Sequence, residues 1–343
     1  MAVNDRGRPE AKAGKMTAIP QSGMRDFFVC DLFDASPKAD LGSMEHPMFS
    51  LSTRPDRTIR SYVRGDVEVT VTPSVRGRAT IHDKDILIYC ISQLMAAVNA
   101  GRTISRKLTL TAHDLLVAVR RDTGGDSYTR LREAFERLAG TRITTNIVTG
   151  DEETTSGFGL IEAWEIVRKT RGGRMVSVTV TLSEWLFRAV TAKSVLTLSR
   201  DYFSLRKPLE RRVYEIARKH CGNQREWRVT VATLHEKAGS DAPVRVFRAA
   251  VRKMIAADNL PDYTLVEDDG DVIRFSRKRL VEDVPGLPAF STDTMDQART
   301  MAPGFDVYAL EAEWRAFWVT AGRQKLTNPD KAFLGWLRGR VKR

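Results

Sequence analysis

The sequence predicts an α+β fold. One order of elements runs twice along the chain: a helix, a short strand, two helices and a β-ribbon. A small helical C-terminal segment follows. Three observations predict it: apolar stripes at helical spacing, period-two alternation in the stretches after them, and glycine or Asp-Gly punctuation at matching places. Two copies of one unusual order carry more weight than either copy alone.

Residues 1–45 mix Gly, Pro, Lys, Arg and Asp around one apolar patch, Phe27-Phe28-Val29, and read as a mostly flexible arm. Val67, Val69 and Val71 alternate with polar residues, the period of a half-buried strand. From 82 to 100 the pattern is helical, with Asp83 and Asp85 in the first turn, where carboxylates suit the helix dipole. After a β-prone Lys107-Leu108-Thr109-Leu110, Thr111 is an N-cap with Asp114 three residues on. Asp126 or Ser127 caps a third helix, in which Tyr128, Leu131, Phe135 and Leu138 form one buried stripe. Strands follow at 143–148, 160–167 and 175–182, separated by turn-like clusters at 150–152 and 171–173.

The second copy begins with a helix over 208–221, closed by Gly222. Glu226-Trp227-Arg228-Val229 is its short strand, and Thr230 caps the next helix, which Gly239 ends. Ser240 or Asp241 caps a helix to about 257 whose stripe is Val244, Phe247, Val251 and Ile255. Two strands flank Asp268-Asp269-Gly270-Asp271, a hairpin signal. Residues 283–304 read as a linker. Beyond it Leu310, Trp314, Phe317 and Trp318 share a helix face, and Asn328-Pro329 opens a last helix. This layout is that of two tandem winged-helix domains, each a helix-turn-helix with a β-wing. The expected boundaries are 46–195 and 196–282, with the helical module at 305–343.

Lys and Arg number 55 against 43 Asp and Glu, a net +12 that favours a polyanionic partner. In a helix-turn-helix the second helix enters the major groove. On 241–257 the stripe leaves Arg245 and Arg248 outward to read bases, with Arg252 placed for phosphate. In the first copy the outward candidates are Ser127, Thr129 and Arg130. The wings offer Arg168, Lys169, Arg171 and Arg174, and Arg274, Arg277 and Lys278, suited to backbone phosphate. Arg206, Lys207, Arg211 and Arg212 add a basic set before the second copy.

Catalytic signatures are absent from the sequence. No two histidines stand two apart, no histidine has Arg three residues on, and no GxxxxGK[ST] phosphate loop or paired-cysteine zinc site occurs. The expectation is a non-enzyme without metal or cofactor. Three scattered cysteines suit a reducing cytoplasm, and no apolar run approaches the ~20 residues of a membrane span.

Over about 46–280 the chain resembles plasmid replication initiators of the replication initiator protein A type. The resemblance rests on Pro47-Met48-Phe49-Ser50-Leu51-Ser52, Ile81-His82-Asp83-Lys84-Asp85-Ile86, Tyr128-Thr129-Arg130-Leu131, Leu198-Ser199-Arg200-Asp201-Tyr202-Phe203 and Leu209-Glu210-Arg211-Arg212-Val213-Tyr214. It implies tandem winged helices that bind repeated double-stranded sites at a plasmid origin and help to melt it. It also implies the host replication initiator and replicative helicase as partners, and homodimers that repress their own gene. Phe333-Leu334-Gly335-Trp336-Leu337 is similar to small C-terminal helical modules of other bacterial replication proteins. The alternatives are a DNA-binding repressor of the same fold without initiator activity, and a protein-interaction scaffold whose basic charge is incidental.

Overall fold

The computed structural model describes residues 28–30, 35–64, 67–149, 152–168, 175–222, 226–278, 288, 290, 294, 297–298, 301–302, 307–322 and 325–341. The chain is a mixed helix-and-sheet protein. A continuous core runs from Cys30 to Phe275, and a second core gathers the C-terminal helices.

The first half opens with β1 (Phe28–Val29), β2 (Lys38–Asp40), the short α1 (Leu41–Glu45), β3 (Arg60–Arg64) and β4 (Val67–Thr72). Then come α2 (Lys84–Asn99), β5 (Lys107–Leu110), α3 (Ala112–Ala118) and α4 (Gly125–Gly140). The strands β6 (Arg142–Thr149), β7 (Glu152–Gly159), β8 (Ile161–Arg168) and β9 (Met175–Leu182) follow, then α5 (Glu184–Thr191) and β10 (Val195–Thr197). One sheet has the order β1-β5-β9-β8 and another β3-β4-β6-β7. Leu108, Leu110, Val178 and Val180 are buried and bring β5 and β9 onto the core under α2 and α3. Thr111 caps α3, its hydroxyl accepting from Asp114 N, as expected.

Several local expectations change. α4 starts at Gly125 after an uncapped Gly124, so neither Asp126 nor Ser127 is the cap. Residues 152–159, expected to begin in a turn, form β7 and pair with β6 along their full length. Lys38–Asp40, placed in the flexible arm, form β2 against β10, with Lys38↔Thr197 and Asp40↔Val195, and lie buried. Phe28–Val29 pair in parallel with β5. That part of the arm completes the first half's own sheet.

The second half follows the expected order closely. It contains α6 (Pro208–His220), β11 (Glu226–Thr230), α7 (Val231–Ala238), α8 (Val244–Ala257), β12 (Tyr263–Asp268) and β13 (Val272–Arg277). Its sheet has the order β11-β13-β12. Thr230 caps α7 by accepting from Thr233 N, and Gly239 closes it at φ +63°. α8 begins after Pro243 with no side-chain cap, so Ser240 and Asp241 do not serve. Phe247 and Val251 are buried, whereas Val244, expected in the stripe, is exposed.

At the C-terminus, α9 (Val307–Thr320) and α10 (Pro329–Val341) pack through Leu310, Trp314, Phe333 and Leu337. Phe317 is exposed rather than on the shared buried face. Ala298 and Ala302, inside the expected linker, are buried in this core, and Thr294 donates to Asp330. Among the described residues no helix is long and apolar enough to cross a membrane.

Candidate nucleic-acid interface

Phe247 and Val251 fix which face of α8 meets the hairpin, and this sets the directions of the arginines between them. Arg245 is exposed, with no side-chain partner among the described residues. Arg248, one turn along, is clamped: its Nε and Nη2 donate to Oδ1 and Oδ2 of Asp271 at 2.8 and 2.7 Å. Arg252 repeats the arrangement on Glu267, at 2.8 and 2.7 Å. Arg274 is held by both oxygens of Asp268. Thus one hairpin supplies three carboxylates to three arginines. Hydrogen bonds from Arg252 and Arg248 hold the Glu267 and Asp271 carboxyls below their usual ranges, and the same bonds raise the two arginines.

The turn itself is made for this. Gly270 and Asp271 take φ +78° and +62°, a region that Gly and Asp tolerate, and Asp271 O accepts from Val231 N. Lys278 donates to Asp258 O at the end of α8, and Arg277 is half-buried near the Cys221 thiol, so these two serve the fold at the hairpin's base. Exposed pairs of this kind add little to stability, because water screens them and both side chains lose rotamer freedom.

In the first half, Thr129 and Arg130 are exposed on α4 and Ser127 is half-buried. Two acidic residues of α4 face other arginines: Glu136 bonds Arg76 at 3.0 Å, and Glu133 lies 4.0 Å from Arg137 of the same helix. Arg168 is exposed at the end of β8, whereas Lys169, Arg171 and Arg174 lie outside the described residues. Ser127 and Arg130 open onto a cavity of about 620 Å³ that Arg54 and Arg206 also line.

Arg211 and Arg212 are not interface residues. They are 2% and 3% exposed and belong to a buried ion network that the sequence did not reveal. Asp85, read as a helix-dipole residue, takes Arg211 on one oxygen and Arg121 on the other. Asp83 takes Arg137 through two bonds of 2.7 and 2.8 Å. Glu215 accepts Tyr202 at 2.7 Å and pairs with Lys84 at 2.8 Å. Arg212 donates to the carbonyls of Ser43, Met44, Glu45 and Lys237, closing the C-termini of α1 and α7 together. Burial pulls the Arg212 guanidinium below its usual range. It acts the same way on Arg211, but the charge of Asp85 overrides it and the net direction is up. His220, Lys219 and Lys237 converge on Glu45 and hold its carboxyl far below the usual range against its burial. Helices α2 and α6 are thereby joined by charges whose removal from water is tolerated only when every one is partnered.

Domains 2 and 3 of RctB share the fold: one solved structure matches with a TM-score of 0.52 at 13% identity, covering 66% of this chain and 93% of that one. A second matches with a TM-score of 0.50 at 13% identity, covering 71% and 99%. The replication initiator protein A family matches residues 38–265, beginning at the first residue of β2. A Wigglesworthia glossinidia brevipalpis protein described as a replication protein is 38% identical over 260 residues, 74% of this chain and 94% of the relative. The chain belongs to the replication initiator protein A family.

Proposed function

We propose that this chain initiates plasmid replication by binding repeated duplex sites at the origin through two winged-helix modules, α2 to β9 and α6 to β13. The observation that carries the reading is the repetition of one element order. Each half has a helix, a strand, two helices and a hairpin that pairs with that strand. Family membership supports the initiator role. In this reading α8 and α4 enter successive major grooves. Arg245 contacts base edges directly, Arg248 does so after exchanging Asp271, and Arg252, Arg274 and Arg168 meet phosphate. The chain works by binding rather than by catalysis, and origin opening and recruitment of the replicative helicase follow from the complex it forms.

The test is Arg245→Ala. Its removal costs about 1–3 kcal/mol on the preferred site and relaxes specificity there. Equal losses on preferred and random duplexes reassign Arg245 to phosphate. A plasmid carrying only this gene and its upstream repeats separates the initiator from a repressor of the same fold, since a repressor does not sustain replication.

A further inference from the structure

The 620 Å³ cavity lies between the first turns of α4, the loop after Ser50 and the segment leading into α6. Its lining contains eight arginines and three carboxylates. Every carboxylate is engaged within the chain. Asp83 is taken by Arg137 at 2.7 Å, Glu133 lies 4.0 Å from the same arginine, and Asp122 accepts Gly124 N at 3.2 Å. Arg121, Arg137 and Arg211 are occupied by Asp83 and Asp85, and Arg76 by Glu136. Arg78, 1% exposed, spends its terminal nitrogens on Tyr62 and Asp56, while its Nε has no hydrogen-bond partner among the described residues.

Arg54, Arg130 and Arg206 remain. All three are exposed, and none has a side-chain partner among the described residues. They come from a loop, a helix and an inter-element segment far apart in sequence, and the fold brings them to one concavity. Like charges gathered there repel one another, and a cleft lined by one sign focuses its field on a counter-ion. Guanidinium forks match phosphate oxygens in a bidentate way, which a point charge cannot. The volume falls within the roughly 300–1,000 Å³ of small-ligand sites, larger than one phosphate needs.

We propose that this cavity is a phosphate-binding site, with Arg54, Arg130 and Arg206 as its ligating side chains. The phosphates come either from the backbone of a bound duplex or from a free nucleotide. The duplex source rests on the DNA-binding reading above; the phosphate site itself does not.

The experiment uses the full chain, its Arg54→Gln/Arg130→Gln/Arg206→Gln variant, and a charge-matched Arg188→Gln/Arg228→Gln/Arg340→Gln control at exposed positions outside the cavity. Melting is followed with and without inorganic pyrophosphate, and binding to a random duplex is followed over a range of salt. For a duplex source, the cavity variant loses about 0.9 from the salt slope per phosphate contact removed, up to about 2.7, and the control loses less. For a nucleotide source, pyrophosphate raises the melting temperature of the wild type and the control but not of the cavity variant. The proposal is overturned if the cavity variant matches the control in slope and pyrophosphate shifts all three proteins equally or none. If the cavity variant melts lower without ligand, Arg54→Gln alone, on an exposed loop, repeats both arms with the same criteria. A wild type without salt-dependent duplex binding defeats the DNA-binding reading and leaves the pyrophosphate arm to decide the cavity.

Discussion

Arg248 Nε and Nη2 lie 2.8 and 2.7 Å from the two oxygens of Asp271, so a candidate base-reading side chain on α8 is held by the turn of its own hairpin. Phosphate or guanine must displace that carboxylate before Arg248 can contact DNA. Neutralising the clamp therefore changes non-specific binding first. Asp271→Asn is expected to tighten binding to a random duplex and to steepen its salt slope by about 0.9, one phosphate contact. Titrations at several salt concentrations check this. Weaker binding means instead that Asp271 orients Arg248 for DNA.

The Asp85–Arg211 pair makes the opposite kind of prediction, because both partners are buried. Asp85→Asn strands Arg211 and weakens the hold on Arg121. Breaking a buried pair from one side costs about 3–5 kcal/mol and lowers the melting temperature by on the order of 10 °C. Asp85→Leu/Arg211→Met, which removes both charges, is expected to be milder than the single substitution. Calorimetry of the three proteins ranks them.

His82 sets an acid sensitivity. Burial, aided by Arg211 and Arg121, lowers its imidazole from 6.5 to about 4 against the pull of Asp85 and Asp83. Between those values the unfolded chain binds the proton and the folded chain does not. Stability from this group is therefore complete above 6.5 and is lost as pH falls towards 4. His82→Gln is expected to be near neutral at about pH 7 and to spare roughly 2 kcal/mol of the wild-type loss at about pH 4.5. Urea midpoints at the two pH values measure it, and parallel losses in both proteins contradict it.

Gly239 and Gly270 both take positive φ, but a β-carbon on Gly239 runs into Pro47, whereas one on Gly270 meets open space. Gly270→Ala is expected to cost about 1 kcal/mol and Gly239→Ala about 2–3 kcal/mol. Chemical denaturation separates the two, and equal costs remove the Pro47 contact from the account.

The repeated order was legible because its stripes are local: Leu131, Phe135 and Leu138 on α4, and Phe247 and Val251 on α8, recur at helical spacing and are buried. The caps Thr111 and Thr230 were legible for the same reason. What escaped depends on distant partners. β2 is held by a strand whose Thr197 lies 159 positions from Lys38, and no local pattern announces it. β7 carries Gly157 and Gly159, which weaken a strand pattern, and only its pairing with β6 defines it. Arg211 and Arg212 look like surface cations in sequence, and only the fold brings Asp85 and the α1 carbonyls to them. Likewise Asp271 reads as turn chemistry, which it is, and the fold adds its second role as a clamp on α8, beside Glu267 of β12. Of the candidate site, Arg245, Thr129 and Arg130 are where the sequence placed them, exposed on the two helices.

Footprinting on the DNA that flanks the gene, against a random duplex at matched salt, tests whether the chain binds repeated sites. The account predicts protected repeats spaced by about 10.5 base pairs or a multiple of it, one helical turn per module pair. Uniform weak protection, or none, contradicts it.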